Sequence, residues 1–229
     1  MNNILAVIPA KQRSKGLKNK NLKVIAGKPL VCWTIDAAIK SKYIDKVIVS
    51  TDSKKIKKIS KEHGASVPFL RPKNLSEDNS SSVDVVLHAV EHFPDYKYVI
   101  MLQPTSPLRK SSHIDEAFEF FFKSNFDSCV SVTKDKKPPF WSYFMKSNNN
   151  LSSLFPNQEI PSRRQEIIST YHLNGAIYIS SILKLKEKKS LITDKTYGYE
   201  MPEEASVDID DINDFRLASR LLKKFIQKK

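Results

Sequence analysis

Three stretches of this 229-residue chain combine residue types that can do chemistry. The first is the run Lys11-Gln12-Arg13-Ser14-Lys15-Gly16-Leu17-Lys18-Asn19-Lys20-Asn21. Its density of cations suits a highly charged phosphate ligand. It fits neither G-x-G-x-x-G nor G-x-x-x-x-G-K-[ST], so the dinucleotide and P-loop readings fail here. The second is Val207-Asp208-Ile209-Asp210. In an extended segment, side chains at i and i+2 share a face. Asp208 and Asp210 therefore point the same way, and Ile209 points into the core. Such a pair can hold a hard cation, Mg²⁺ for instance, that also bridges substrate phosphates. The third is Leu102-Gln103-Pro104-Thr105-Ser106-Pro107-Leu108-Arg109. Two prolines fix this backbone, so the Gln103, Thr105, Ser106 and Arg109 side chains are held rigidly. A plain turn needs no such set.

All three stretches follow or form strand ends. Strand-like runs at 4–10, 46–51, 66–71, 97–103, 127–133 and 175–180 alternate with helical patterns. Shorter extended pieces fall near 196–201 and 205–210. This alternation predicts βαβ units, a mainly parallel sheet and an α/β fold. Helices are expected over 29–41, 53–63, 82–93, 112–123 and 212–227, from apolar stripes at helical spacing. Ser53 is a candidate N-cap for the second, and Asp211 with Asp214 a capping-box-like start for the last. In an open α/β sheet, ligands bind beyond the carboxyl ends of the strands, which is where the basic loop lies. Ser50-Thr51-Asp52-Ser53 also follows a strand and reads as a helix-capping turn. Arg163 and Arg164 precede the strand that begins near Asn174-Gly175, and arginine forks suit carboxylates and phosphates.

Residues 134–168 interrupt the rhythm. Turn-forming clusters flank Phe140, Trp141, Tyr143, Phe144, Leu151, Leu154 and Phe155, too aromatic a set for a disordered linker. An excursion with exposed apolar groups needs a partner surface, and a second subunit is the natural one.

Composition narrows the class. The net charge is +13, with 40% hydrophobic residues. Many lysines lie on helix faces, as in Lys54-Lys55-Ile56-Lys57-Lys58, and the surface accounts for most of the excess. No nucleic-acid-binding module is present. No apolar run has the ~18–20 residues of a membrane span, and the N-terminal run is too short for a signal peptide. The chain reads as a single cytoplasmic domain over 1–229. Cys32 and Cys129 read as buried thiols. The five histidines lack metal spacing.

Taken together, these stretches resemble the acylneuraminate cytidylyltransferase family, the CMP-sialic acid synthetases and their relatives for other nonulosonic acids. The resemblance spans residues 3–226. It rests on Ile8 to Gly16 with Lys20-Asn21, Val49 to Asp52, Leu70-Arg71-Pro72, Leu102 to Arg109, Asn174 to Tyr178, and Asp208-Ile209-Asp210. It implies a Rossmann-like sheet of the nucleotide-diphospho-sugar transferase type with helices on both faces. It also implies a homodimer formed through the 134–168 excursion, and Mg²⁺-dependent CMP transfer from CTP to a nonulosonic acid, with pyrophosphate released. By position it implies that Lys11, Ser14, Lys15 and Lys20 contact the CTP phosphates, with Asn21 on the nucleotide side. It places Arg71 and Ser82 near cytosine and ribose. Gln103 and Tyr178, with Thr105 and Ser106 beside them, fall at the sugar, and Arg163 or Arg164 near its carboxylate. Asp208 and Asp210 match metal ligands, and Lys20 stands with them as the catalytic set. Two positions depart from the family pattern. Lys11 stands where arginine is usual, which keeps the charge but loses the fork. His172-Leu173 stands where an arginine often precedes Asn-Gly, which leaves the sugar open. Activation of 3-deoxy-manno-octulosonate is a neighbouring alternative. A non-catalytic basic nucleotide- or nucleic-acid-binding protein is an alternative of another class, and it would bind with strong salt dependence.

Overall fold

A computed structural model describes residues 3–137, 139–156 and 168–227. The strands, in chain order, are β1 (Ile4–Pro9), β2 (Val24–Ile25), β3 (Lys28–Pro29), β4 (Lys46–Ser50), β5 (Tyr98–Met101), β6 (Ser128–Lys134), β7 (Tyr143–Met145), β8 (Leu151–Ser153), β9 (Tyr171–Ser181) and β10 (Thr196–Glu200). The helices are α1 (Leu30–Ile39), α2 (Lys54–Glu62), α3 (Ser82–Glu91), α4 (Ser111–Lys123), α5 (Ile182–Lys188) and α6 (Ile212–Gln227). Six strands form one sheet in the order β10-β6-β9-β5-β1-β4. Neighbours pair in parallel except β9, which runs antiparallel to both β5 and β6.

The alternation along β1 explains the layering. Ile4, Ala6 and Ile8 pack on one face, with residues of α1, α4 and α6 such as Ile35, Phe118 and Leu222. Leu5 and Val7 pack on the other, with Val86 and Val90 of α3 and Leu185 of α5. All five β1 side chains are fully buried. A strand covered on both faces reads as one continuous apolar run, which is why the segment looks unbroken in sequence. Cys32 and Cys129 are buried thiols, and burial pushes each up to about 12.

Two expected strands do not form ladders. In 66–71 only Ser66 bridges, to Ile48. Pro68 has no N–H with which to continue, and the Arg71 N–H instead donates to the Thr51 carbonyl at 2.8 Å. In 205–210, Ala205 closes a 3-10 turn over Glu203–Ala205, the rest joins no ladder among the described residues, and the Ile209 N–H donates to the Thr105 carbonyl at 2.9 Å. The last strand of the parallel-sheet reading is longer than expected and reversed. Its start is displaced by a bulge, since the β6 register jumps from Val130↔Tyr178 to Val132↔Leu173. The Ser131 hydroxyl fills the interrupted ladder. It accepts from the Ile177 N–H at 2.8 Å and donates to Asn174 Oδ1 at 2.5 Å. Bulges re-aim nearby groups, and this one turns Asn174-Gly175-Ala176 toward the end of β5.

Both expected caps are present. Ser53 Oγ accepts from the Ile56 N–H at 3.4 Å. Asp211 Oδ1 accepts from the Asp214 N–H, and Asp214 Oδ2 accepts in return from the Asp211 N–H, both at 3.0 Å. In the excursion, β7 and β8 form a hairpin, and the Phe140 and Phe155 rings meet at a 52° tilt with centroids 5.2 Å apart. Its apolar side chains lie open, with Phe144 63% and Met145 72% exposed. Arg163 and Arg164 lie outside the described residues. Among the described residues, no helix is long and apolar enough to cross a membrane.

Phe118 is the largest fully buried side chain and joins α4 to the sheet. Phe118→Ala should lower unfolding free energy by about 3–5 kcal/mol through the cavity it leaves, read by urea denaturation.

Candidate active site

The carboxyl ends of β1, β4 and β5 and the start of β9 share one edge of the sheet, where a cavity of about 550 Å³ opens. The loop after β1 supplies Lys11, Ser14, Lys15, Gly16, Lys20 and Asn21 to its wall. Arg71 comes from the segment that leads into α3, and Ser82 is the first residue of that helix. Gln103 and Thr105 come from the turn after β5, and Asp208 and Asp210 from the extended segment before α6. Residues nearly 200 positions apart in sequence thus meet at one place.

Specific bonds hold the basic loop. The Gln12 N–H donates to Asp52 Oδ1 at 2.7 Å, so the turn after β4 anchors the loop as well as capping α2. Asn21 Nδ2 donates to the Lys11 carbonyl at 2.9 Å. Gly16 lies so close to the Asp210 backbone that a Cβ would stand 2.2 Å from its carbonyl oxygen. Only glycine lets the loop touch the carboxylate segment. Lys20 Nζ completes the junction. It donates to the Ile209 carbonyl and reaches Asp210 Oδ1 at 3.3 Å.

Asp208 and Asp210 differ in surroundings. The Asp210 side chain is 83% exposed. Asp208 is part-buried, and its Oδ1 is buried with no hydrogen-bond partner. Burial pushes the Asp208 carboxyl above its usual range, and the Asp210 and Asp214 charges add to the rise. The neighbouring Thr105 hydroxyl and Lys20 oppose that rise. An orphaned carboxylate oxygen beside a second carboxylate is a donor set that fits a hard divalent cation. Among the described residues no group of three or more His, Cys, Asp or Glu side chains could hold a metal. A cation here therefore needs oxygens from a bound phosphate or from water.

Several residues stand elsewhere than the motifs imply. Ser106 is fully buried beneath the turn and does not line the cavity. Its neighbour Arg109 is 3% exposed and faces no carboxylate. Its guanidinium donates to the Gln103 and Ala176 carbonyls, at 3.2 and 2.7 Å, and to Thr34 Oγ1 at 2.7 Å. It ties β5, β9 and α1 together beneath the site, and burial pushes its pKa down. Tyr178 is half-buried in the core on the α3 side, outside the cavity lining, yet near enough to Asp208 that the carboxylate adds to the burial that raises its pKa. His172 sits at the start of β9 with Nδ1 2.6 Å from Asp135 Oδ1. Sequence reasoning named Asn174 only as the start of a strand and gave it no role of its own. This residue is 3% exposed, and its Nδ2 donates to Ser206 Oγ at 2.9 Å, joining the bulge to the segment that carries Asp208. It also missed Glu77 and Asp78, which line the cavity between Arg71 and Ser82. Their place between two candidate ligand-contacting residues was the available signal.

Two substitutions test this geometry. Without a cation, ionised Asp208 opposes folding, because its raised pKa makes stability fall as pH climbs through the carboxyl range. Asp208→Asn should therefore raise the Tm at pH 7 in EDTA. Gly175 has φ +75°, and a Cβ there would lie 2.9 Å from Gln103 Oε1 and 3.0 Å from Asp208 Oδ2. Gly175→Ala should cost about 1–2 kcal/mol for the left-handed backbone alone, and more as Gln103 and Asp208 shift, read by denaturant titration.

Residues 5–212 match the cytidylyltransferase family. The chain is 39% identical over 223 residues to the N-acylneuraminate cytidylyltransferase of Escherichia coli O18:K1:H7, covering 96% of this chain and 52% of that protein. It spans about half the length of that relative and of the matched streptococcal ones. It is 38% identical to the CMP-N,N'-diacetyllegionaminic acid synthase of Legionella pneumophila, over 96% of both chains. It is 30% identical to the pseudaminic acid cytidylyltransferase of Campylobacter jejuni, again over 96% of both. Among solved structures, a CMP:2-keto-3-deoxy-manno-octonic acid synthetase complexed with CTP shares the fold, with a TM-score of 0.71 at 15% identity over 97% of this chain and 99% of that one. The chain belongs to the cytidylyltransferase family.

Proposed function

We propose that the protein transfers CMP from CTP to the anomeric hydroxyl of a nonulosonic acid and releases pyrophosphate. The observation that carries this reading is the convergence, in one cavity, of a lysine-rich loop with a carboxylate pair, one of whose oxygens is buried and unpartnered. The identity to relatives that act on three such sugars supports the acceptor class.

The attacking sugar hydroxyl gives up its proton to solvent as its oxygen bonds to the α-phosphorus of CTP, and the bond from that phosphorus to the pyrophosphate oxygen breaks. Little covalent work falls to the protein, so positioning and charge neutralisation dominate. Lys11, Ser14 and Lys15 bind the triphosphate, and Lys20 offsets charge at the reacting phosphate. Arg71, Ser82 and Asn21 hold the nucleoside end. Gln103 and Thr105 orient the sugar from the rigid turn, and Arg163 or Arg164 meets its carboxylate. Tyr178 and Ser106 support the sugar side from beneath. Asp208 and Asp210 would hold Mg²⁺ as cofactor, which when bound polarises the phosphoryl oxygens. Lys20, bonded to the carbonyl between these two aspartates, keeps their spacing. The 134–168 excursion forms a homodimer, since its open aromatic hairpin needs an apolar cover. The reaction runs in the cytoplasm, where CTP is available.

The test is pyrophosphate release with CTP and Mg²⁺ across N-acetylneuraminate, legionaminate, pseudaminate and 3-deoxy-manno-octulosonate. Turnover with one nonulosonate is expected, and Asp208→Asn or Lys20→Ala should lower kcat by about 10²–10³. Turnover with 3-deoxy-manno-octulosonate alone would favour the neighbouring reaction. Salt-sensitive binding of nucleic acid with no turnover would refute the reading. Replacing Phe144 and Met145 with Glu should convert the dimer to monomer in sedimentation velocity.

A further inference from the structure

The cavity wall carries four cationic side chains, Lys11, Lys15, Lys20 and Arg71, and four carboxylates, Glu77, Asp78, Asp208 and Asp210. A site built only to take a triphosphate and a cation needs two of those carboxylates, not four. Asp78, outside the Asp208–Asp210 pair, meets two lysines. Its Oδ1 accepts from Lys11 Nζ at 3.0 Å, and its Oδ2 lies 3.7 Å from Lys15 Nζ. One carboxylate thus spans two lysines of the basic loop, as a phosphate group would. Both lysines hold the Asp78 carboxyl below its usual range, so it is ionised at neutral pH.

The surroundings fix what can move. The Lys11 backbone is tied by Asn21 to its own carbonyl and by Asp52 to the next N–H. Its side chain can therefore change partner while its backbone stays. The turn that carries Asp78 is closed on itself. Ser80 Oγ donates to the Asn74 carbonyl at 2.8 Å, and Ser76 Oγ donates to the Pro72 carbonyl at 3.0 Å. It hangs on Arg71, whose Nη1 donates to the Leu75 carbonyl at 3.3 Å and whose Nη2 donates to the Ser50 carbonyl at 2.8 Å. Arg71 also lines the cavity, so the acidic turn and the ligand space share one anchor.

We infer that Asp78 is a built-in counter-ion that occupies the phosphate-binding lysines in the empty site and is displaced by the incoming polyphosphate. This deepens the proposed function and rests on it for the identity of the ligand. Asp78 is a positioning residue, since it acts through Lys11 and Lys15. Two consequences follow from competition for the same donors. The empty site discriminates against weak anions such as single phosphates or chloride, which cannot replace a tethered carboxylate. The departing pyrophosphate meets a competitor already tethered beside it, so its release is faster than the lysines alone would allow.

The experiment is calorimetric titration of the full chain with CTP and, separately, with inorganic tripolyphosphate, at low and high ionic strength. Asp78→Asn removes the charge and keeps the shape. It should bind both ligands about threefold to tenfold more tightly at low salt, a gain that shrinks at high salt because the exchanged pairs are exposed. Asp78→Glu should restore wild-type affinity. Glu62→Gln removes one charge from α2, where Glu62 lies 4.0 Å from Lys58, and should change nothing. In turnover, Asp78→Asn should lower the KM for CTP and strengthen product inhibition by pyrophosphate. Unchanged or weaker binding of tripolyphosphate by Asp78→Asn would overturn the inference, because Asp78 would then order the lysines rather than compete for them. An equal gain from Glu62→Gln would also overturn it, reducing the effect to net charge. Binding of tripolyphosphate without CTP would overturn the nucleotide reading, while the Asp78 comparison on tripolyphosphate still decides the inference.

Discussion

The site depends on one docking event. The segment before α6 has no strand partner among the described residues, and it is fixed by the Ile209 N–H on the Thr105 carbonyl and by Lys20 Nζ on the Ile209 carbonyl. These two bonds use both polar groups of a residue whose side chain is fully buried in the core. They set the two flanking carboxylates between the basic loop after β1 and the rigid turn after β5. The close approach of Gly16 to the Asp210 backbone and of Gly175 to Asp208 follows from the same placement. Without it the lysines and the aspartates belong to separate surfaces.

Beneath that junction lies a second constraint of opposite character. Arg109 brings a buried cation under the site without a carboxylate, and its guanidinium instead collects carbonyls from the turn after β5 and from β9. Burying a charge is costly unless its hydrogen bonds are made, and here most are. The outcome is a rigid floor on which Gln103 and Thr105 stand. Asp208 bears a related strain, since burial without a partner for Oδ1 disfavours its ionised form. Buried polar groups left unpaired often mark where function rather than stability governs.

Much of this was legible in the sequence. The unbroken apolar run of β1, the capping pair Asp211 and Asp214, and the i, i+2 spacing of Asp208 and Asp210 each follow from local chemistry. So did the place of the basic loop at a strand end. What was hidden is what tertiary context decides. The strand expected over 66–71 lost its ladder to Pro68 and to the pull of Thr51 on Arg71. The reversal of β9 and its bulge depend on Ser131 and Asn174, which meet only in the fold. Thr105 and Ser106 look alike as hydroxyl residues between prolines, yet Ser106 turns inward and Thr105 lines the cavity. The role of Arg109 was invisible because its partners are backbone carbonyls, which carry no sequence signature, and a Thr34 hydroxyl 75 residues away. The arginines at 163 and 164 lie outside the described residues.

The central claim is that the carboxylate pair and the basic loop act together on one nucleotide. The most direct measurement is a crystal structure with CTP and Mn²⁺, collected at a wavelength where manganese scatters anomalously. The account predicts an anomalous peak against Asp208 Oδ1 and Asp210, with the triphosphate running from it along Lys20 to Lys11 and Lys15. Manganese bound away from both aspartates, or CTP bound outside this cavity, would contradict it.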